Sequence, residues 1–227
     1  MYLYETHLHT SPVSRCAKVG VRETIEFYKE LGYTGVFITN HFLDGNINIA
    51  TDASYADKIN FYFSDYEEGK KIGEELGIDV FFGAEMSYGG TDFLIIGLDK
   101  EWYLSHPEIV EMKKTEELAL IAESGALIIH AHPFREANYI DHIRLFPRHV
   151  HGVEVYNANR TEFENSMAKS YAKSYSLLSF AGTDNHVGRA QKKLGGVKLS
   201  SKISSEAEFV ALIKSGNYKI FKKEITN

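Results

Sequence analysis

Histidines and acidic residues end the apolar segments of this chain, at positions where metal ions could bind. The first apolar segment ends in His7-Leu8-His9. Because side chains alternate faces along a strand, these two histidines are expected to point the same way. Four later apolar runs also end in residues that can bind a metal. These residues are His41, Glu85, His132 and the pair Asp184 and His186.

Predicted strands and helices alternate along the chain, with Ser54 suited to cap one helix and Gly77 to end it. This alternation predicts a parallel sheet covered by helices. In parallel α/β barrels the functional rim lies at the carboxyl ends of the strands, where the candidate ligands fall. Strands are expected at 2–7, 34–39, 79–84, 93–97, 126–131, 152–156, 177–182, 196–199 and 218–222, with the third and fourth paired through a turn at 88–91. Helices are expected at 21–31, 54–76, 107–124, 136–145, 161–175 and 205–214.

The composition is that of an ordinary globular protein. The chain has 227 residues, of which 44% are hydrophobic, and this length suits one α/β domain over residues 1–227. A single cysteine, Cys16, excludes an internal disulfide and suits a reducing compartment, so we expect a cytoplasmic protein. No apolar run approaches the ~20 residues that span a bilayer. The formal charge of -6 argues against nonspecific binding to nucleic acid.

The ordered ligand motifs resemble those of the PHP (polymerase and histidinol phosphatase) superfamily. His-X-His comes first, then Asn-His, Glu, His-Pro and Asp-X-His, and the resemblance extends from about Glu5 to Gly188. It looks most like the small stand-alone phosphoesterases of that superfamily. The resemblance implies an α/β fold, a distorted (β/α)7 barrel of PHP type. It also implies two or three divalent metal ions and the hydrolysis of phosphate esters.

The resemblance also implies how the ligands are shared. It places His7, His9, Glu85 and Asp184 on one ion, and Glu85 would bridge to a second ion held with His132. A third ion would belong to His41 and His186. Imidazole and carboxylate ligands fit Zn, Mn or Fe. Glu85, Asp184 and His186 are therefore the expected catalytic residues.

The chain departs from the family pattern at the third ion. Arg15 stands where members commonly have Asp or His, so the third ion is expected to be weak, absent or held differently, with Cys16 or Asp44 as substitutes. Cys16 could be a thiolate ligand, although a small buried residue is the favoured interpretation. Glu5 replaces a common Asp and could still orient His7 or His9.

Two arginines close to ligand-bearing strands are expected to bind the phosphate. Arg135 follows His-Pro-Phe, and Arg160 follows Asn-Ala-Asn. A guanidinium group grips phosphate oxygens in a bidentate manner. Glu154 lies inside an apolar strand and needs a metal or a polar partner. The sequence leaves its role open, as it does for His130, Asp92 and Asp99.

These residues predict a metal-dependent phosphoesterase that uses a metal-bound hydroxide on a small-molecule phosphomonoester. The absence of a basic tract makes nucleic acid a less favoured partner. Two alternatives remain open. One is a phosphodiesterase or exonuclease acting on nucleotide substrates. The other is a metal-binding regulatory module without turnover, which Arg15 favours. The sequence does not indicate the oligomeric state.

Overall fold

A computed structural model describes residues 1–225, and the last two residues of the predicted domain 1–227 lie outside this range. The described chain has ten strands and six α-helices. The strands are β1 (Tyr2–Glu5), β2 (Gly35–Ile38), β3 (Asp79–Phe82), β4 (Ala84–Tyr88), β5 (Thr91–Ile96), β6 (Leu127–Ala131), β7 (Gly152–Asn157), β8 (Leu178–Gly182), β9 (Lys193–Leu199) and β10 (Lys219–Glu224). The helices are α1 (Val21–Glu30), α2 (Tyr55–Leu76), α3 (Lys100–Ser105), α4 (Lys114–Glu123), α5 (Glu162–Ser174) and α6 (Glu206–Lys214).

The strands form two five-stranded sheets. The first sheet has the order β10-β9-β1-β2-β3, and the second has the order β4-β5-β6-β7-β8. Pairing is parallel for β1-β2-β3 and for β6-β7-β8, and antiparallel elsewhere. The α/β class is therefore confirmed, but the sheets are mixed, whereas the sequence predicted a parallel sheet with one pair of strands joined by a turn at 88–91.

The closed seven-stranded barrel implied by the resemblance is not shown for residues 1–225. Strand pairing stops between the two sheets, which meet through single bridges. Leu8 bridges Asn185, and His41 bridges Glu85. Both bridges lie among the candidate ligands, so the two sheets meet at the place where a metal would bind.

Local sequence explains several elements around the candidate ligands. Ser54 caps α2 by accepting a hydrogen bond from the backbone of Asp57, and Gly77 ends that helix with φ of 68°. A residue with a side chain is strained at such an angle, whereas glycine is not. The antiparallel pair β4 and β5 turns at Gly89 and Gly90, as the sequence predicted, although Glu85 lies in β4 rather than at the end of β3.

One predicted helix is wrong, and a second is divided in two. Residues 136–145 are irregular and contact the β4–β5 turn, where the Arg144 guanidinium donates to the Gly89 carbonyl at 2.6 Å. The predicted helix 107–124 is a short 3-10 helix, Pro107–Val110, followed by α4. The chain is extended at Lys113, with φ of -62° and ψ of 138°. This break lets the buried Lys114 ammonium pair with Asp44 at 2.9 Å and with Glu117 at 2.7 Å.

No helix within residues 1–225 is long and apolar enough to cross a membrane.

Candidate metal centre

All seven predicted metal ligands converge where the two sheets meet. The first sheet supplies His7 and His9 after β1 and His41 after β2, and the second supplies the rest from β4 and from the ends of β6 and β8. The ligand atoms form three groups, and within each group they lie within 4.8 Å of one another. These groups are His7 with Glu85 and His132, His7 with His9 and Asp184, and His9 with His41 and His186.

The Glu85 carboxylate lies at the centre of the imidazoles. Its Oε1 lies 3.2 Å from His7 Nε2 and 3.1 Å from His132 Nε2. Its Oε2 lies 2.8 Å from His41 Nδ1 and 3.4 Å from His9 Nε2. Each oxygen therefore faces a different pair of histidines. This is the arrangement expected of a carboxylate shared by two ions.

Asp184 lies close to a second set of histidines. Its Oδ1 lies 3.5 Å from His7 Nε2, 3.4 Å from His9 Nε2 and 3.3 Å from His186 Nδ1. Asp184 has φ of 59° and His132 has φ of 25°, so two candidate ligands adopt left-handed backbone conformations that are uncommon for residues with side chains. Such strain clusters at functional sites, where the surrounding structure holds it in place.

Several ligand atoms are buried without a hydrogen bond. They include His7 Nε2, His9 Nε2, His41 Nδ1 and Glu85 Oε2. A buried polar atom without a partner costs about 1–3 kcal/mol, so groups of them aimed at one another require an explanation. Divalent ions would satisfy these lone pairs together. The nitrogen and oxygen donors fit Zn, Mn or Fe.

The carboxylates and histidines of the centre shift one another's pKa values. Burial alone would raise the pKa of Glu85, but His41 and His7 lower it well below its usual range. Burial likewise opposes ionisation of Asp184, yet His7 and His9 lower the pKa of that carboxyl. Burial, together with His186 and His41, lowers the pKa of His9. Burial opposes protonation of His7 and His41, but the neighbouring carboxylates raise the pKa of both rings. The carboxylates therefore attract positive charge to the centre, as they would attract a metal ion.

Glu154, in β7 of the second sheet, orients the candidate ligands His7 and His132, a role that the sequence left open. Its Oε1 accepts a hydrogen bond from His7 Nδ1 at 2.9 Å, and its Oε2 accepts from the His132 backbone at 3.0 Å and from Asn157 Nδ2 at 2.9 Å. Because Nδ1 of His7 donates to Glu154, Nε2 of the same ring is free for an ion. Glu5 does not orient His7 or His9 through their rings. Instead its carboxylate accepts from the backbones of Thr6, His7 and Thr183.

A second polar network orients the ligands of the first sheet. Ser14 Oγ lies 3.3 Å from His9 Nδ1 and donates to Asn40 Oδ1 at 2.8 Å. Asn40 Nδ2 donates to Asp65 Oδ2 at 3.0 Å. No sequence pattern indicates this role for Asp65, because it lies in the middle of α2, 25 residues after Asn40 in the chain. Asn40 therefore fixes the loop before His41.

The predicted phosphate-binding arginines lie in different clefts. Arg135 lines a cleft of about 430 Å³ that also contains His41 and His186. Its Nη2 forms an ion pair with Asp92 Oδ2 at 2.8 Å, and its Nε is buried without a hydrogen bond. Arg160 lines a separate cleft beside Tyr156. The structure thus brings Arg135, but not Arg160, to the cleft of the metal centre.

Two residues with open roles lie outside the centre. His130 would share a face with His132 in a regular strand, but β6 ends at Ala131 and the backbone of His132 changes direction. The His130 ring stacks on Phe93 with 5.1 Å between centroids. Burial and the nearby His132 lower the pKa of His130 to about 3, so it is neutral. Asp99 caps α3 by accepting from the Trp102 backbone at 2.8 Å.

Arg15 and Cys16 are adjacent in the chain but line different clefts. The Arg15 side chain is exposed and lines another cleft with Ile47 and Tyr55. Cys16 is half-buried and lines the cleft of His41 and His186. Burial raises the pKa of the Cys16 thiol, but His186 and His41 outweigh burial and lower it to about 6.

No family model matches the sequence. No curated protein matches it either. Solved structures do match. A two-domain protein from Bacteroides vulgatus ATCC 8482, described as containing a predicted PHP-like metal-dependent phosphoesterase, superposes with a TM-score of 0.67 at 15% identity, over 97% of this chain and 64% of that one. This chain thus spans less than two thirds of that protein.

Two further structures extend the comparison. A protein described as a putative metal-dependent phosphoesterase from Bifidobacterium adolescentis ATCC 15703 has a TM-score of 0.56 at 12% identity, over 93% of this chain and 96% of that one. The lesion-specific endonuclease PfuEndoQ from Pyrococcus furiosus has a TM-score of 0.57 at 14% identity, over 96% of this chain and 57% of that one. The chain therefore has the fold of PHP-like metal-dependent phosphoesterases, as the resemblance predicted.

Proposed function

We propose that the protein is a metal-dependent phosphoesterase that hydrolyses a small-molecule phosphomonoester. One observation carries the proposal. Glu85 lies among four imidazoles, with each of its oxygens facing a different pair, at distances of 2.8 to 3.4 Å. We infer that two or three divalent ions, chosen from Zn, Mn and Fe, bind through the seven candidate ligands. These ligands are His7, His9, His41, Glu85, His132, Asp184 and His186.

The residues of the centre would have different roles in hydrolysis. When bound, divalent ions would supply an activated water near neutral pH and would neutralise charge on the phosphate. Glu85 and Asp184 hold negative charge at the centre, where it balances the ions. Glu154 keeps the ring of His7 in one orientation. His186, whose side chain is 24% exposed, lines the cleft and can give a proton to the leaving oxygen when its nitrogen holds no ion.

Arg135 is the residue that we propose binds the phosphate. Asp92 and the Gly90 carbonyl, which accepts at 3.2 Å, hold one side of its guanidinium in place. Its buried Nε has no partner and remains a donor for a phosphate oxygen. Arg160 was proposed from the sequence for the same role. It lines a separate cleft that shares no lining residue with the cleft of the metal centre.

The small cleft supports a small substrate. Its volume of about 430 Å³ lies within the range of roughly 300–1,000 Å³ that holds small ligands. One observation favours the alternative, a phosphodiesterase on nucleotide substrates. PfuEndoQ, which has the same fold, is an endonuclease. The fold therefore gives no support to the expectation that nucleic acid is an unfavoured partner, and the choice rests on the cleft.

A metal-dependent activity screen tests the proposal. Chelated protein would be reloaded separately with Zn, Mn or Fe, its metal content measured, and the same samples assayed on phosphomonoesters, nucleotide diesters and single-stranded DNA. We expect hydrolysis of monoesters that requires metal. Hydrolysis of diesters alone would support the nucleotide alternative. Protein that holds two ions but hydrolyses no substrate would support the regulatory module, and protein that holds no ion would refute the metal centre.

A further inference from the structure

An apolar cleft adjoins the cleft of the metal centre. Its volume is about 610 Å³, and its lining includes the apolar and aromatic side chains of Leu43, Ile47, Ile49, Tyr55 and Val110. Asn46 lines this apolar cleft and also lines the cleft that contains His41 and His186. The two clefts therefore meet at Asn46. The side chain of Asn46 is exposed, and its amide can both donate and accept a hydrogen bond to a ligand that lies across it.

Paired backbone segments hold the two clefts side by side. Ser14 and Ile47 form an antiparallel bridge, and the Arg15 backbone donates a hydrogen bond to the Asn46 carbonyl at 2.9 Å. The Ser14 hydroxyl also accepts a hydrogen bond from the His41 backbone at 3.0 Å. The wall of the apolar cleft is thus fastened to the loop that carries a candidate metal ligand. A ligand bound at the metal centre therefore has the apolar cleft at a fixed position beside it.

The apolar cleft has fixed walls and apolar surface open to water. The Tyr55 hydroxyl donates to the Tyr103 carbonyl at 2.8 Å, which holds the Tyr55 ring in place. Ile47 is only 8% exposed and packs in the core, whereas Val110 is 45% exposed. A ligand group that covered Val110 would remove apolar surface from water, and this burial is what favours the binding of small molecules in such clefts.

Arg15 places a cation in the apolar cleft close to the metal centre. Its exposed side chain lines the apolar cleft, and the next residue, Cys16, lines the cleft of the metal centre. Arg15, Lys58 and Glu111 together give the apolar cleft one positive charge in excess. The Lys58 ammonium donates to the Thr51 carbonyl at 2.8 Å, whereas the described residues provide no carboxylate at ion-pair distance from the Arg15 guanidinium. Arg15 can therefore pair with an acidic group of a ligand.

We propose that the apolar cleft binds the organic part of the substrate. The substrate is then a phosphomonoester of an alcohol that carries an aromatic or branched aliphatic group and a carboxylate. Its phosphate binds at the metal centre, its apolar group packs against Ile47 and Val110, and its carboxylate pairs with Arg15. The inference rests on the proposed function and names the class of substrate for the same site. It also gives Arg15 the role of recognising the substrate, at a position where a metal ligand was expected.

Phosphonates, which contain no ester bond to hydrolyse, test the proposal by binding alone. The full chain loaded with zinc would be titrated calorimetrically with methylphosphonate and with phenylalkylphosphonates that have one to four methylene groups. We expect the best phenylalkylphosphonate to bind at least about tenfold more tightly than methylphosphonate, because its ring leaves water. Equal affinities across the series would overturn the inference and leave phosphate binding at the metal centre intact. If no phosphonate bound, both the inference and the phosphate site would be overturned.

Variants separate the two contacts. Arg15→Ala should weaken binding of the 4-carboxy derivative of the best phosphonate by about tenfold and change binding of the parent phosphonate by less than about twofold, because only the derivative carries the charge that pairs with Arg15. Arg148→Ala, a change at an exposed arginine outside both clefts, should affect neither ligand. Val110→Asp should weaken binding of the phenylalkylphosphonates and not of methylphosphonate. Equal effects of Arg15→Ala on the derivative and its parent, or wild-type affinities in both cleft variants, would refute the assignment.

Discussion

Replacing Glu85 by glutamine should remove metal and activity together. The change keeps the shape of the side chain but removes the negative charge that faces four imidazoles. Two unit charges 4 Å apart attract by about 4 kcal/mol at an effective dielectric constant of 20. Each ion of a pair sharing Glu85 should therefore lose at least about 4 kcal/mol of binding free energy, or roughly a factor of 10³ in affinity, because about 1.4 kcal/mol corresponds to tenfold.

Elemental analysis and steady-state kinetics on the same samples measure this effect. We expect Glu85→Gln to hold at least one ion fewer than wild type at equal free metal, and its kcat to fall by several orders of magnitude. Glu117→Gln is a matched control, because Glu117 is a buried glutamate that pairs with Lys114 instead of the candidate ligands. Its metal content should equal that of wild type. If Glu85→Gln kept full metal content and near wild-type turnover, the shared role of Glu85 would have to be abandoned.

Four further predictions follow from the geometry. Chelation should lower the melting temperature, because an ion at 100 times its Kd stabilises the fold by about 2.7 kcal/mol; identical melts of loaded and metal-free protein would contradict this. Arg135→Ala should raise KM at unchanged metal content, with a loss of about 1.5–3 kcal/mol of substrate-binding free energy. Arg160→Ala should have a smaller effect. A larger effect of Arg160→Ala on KM would indicate that the phosphate binds in the cleft of Arg160. Glu154→Gln should weaken metal affinity or activity by about 10- to 100-fold, because the carboxylate that orients the His7 ring is lost. Wild-type metal affinity in a titration, together with wild-type activity, would exclude that role. Burial, only partly offset by Lys114, raises the pKa of Glu117 from 4.5 to about 7. The contribution of protonated Glu117 to the free energy of unfolding should therefore fall as the pH rises from 4.5 to about 7. Melting curves of Glu117→Gln should lack this pH dependence, and parallel curves for both proteins would refute the prediction.

The sequence predicted which residues would come together at the candidate centre, because each one follows an apolar segment. His41 and His132 come directly after such segments, and the structure brings both to Glu85. The caps of α2 and the turn at Gly89 and Gly90 were also predicted from the sequence, because each depends on residues close to one another in the chain.

What the sequence could not predict depends on contacts between distant segments. Strand periodicity placed His130 beside His132, but the left-handed backbone of His132 separates them. The partner of His7 is Glu154, 147 residues away, and no spacing rule reports such a contact. Residues 136–145 have a helical pattern, yet their contacts with the β4–β5 turn leave them irregular. The closed barrel was expected from the family resemblance and not from any local pattern, and strand pairing within residues 1–225 does not show it.

The division of the ligands between two sheets has a consequence for the order of assembly. Each of the three ligand groups takes residues from both sheets, so neither sheet alone can hold an ion in any of these groups. Asp184 and His186, which complete two of the groups, are also the last ligands to be synthesised. Before the second sheet packs against the first, the histidines of the first sheet therefore have neither Glu85 nor Asp184 beside them. Metal uptake should thus be a late event in maturation, and an ion held in the centre marks a chain whose two halves have already come together.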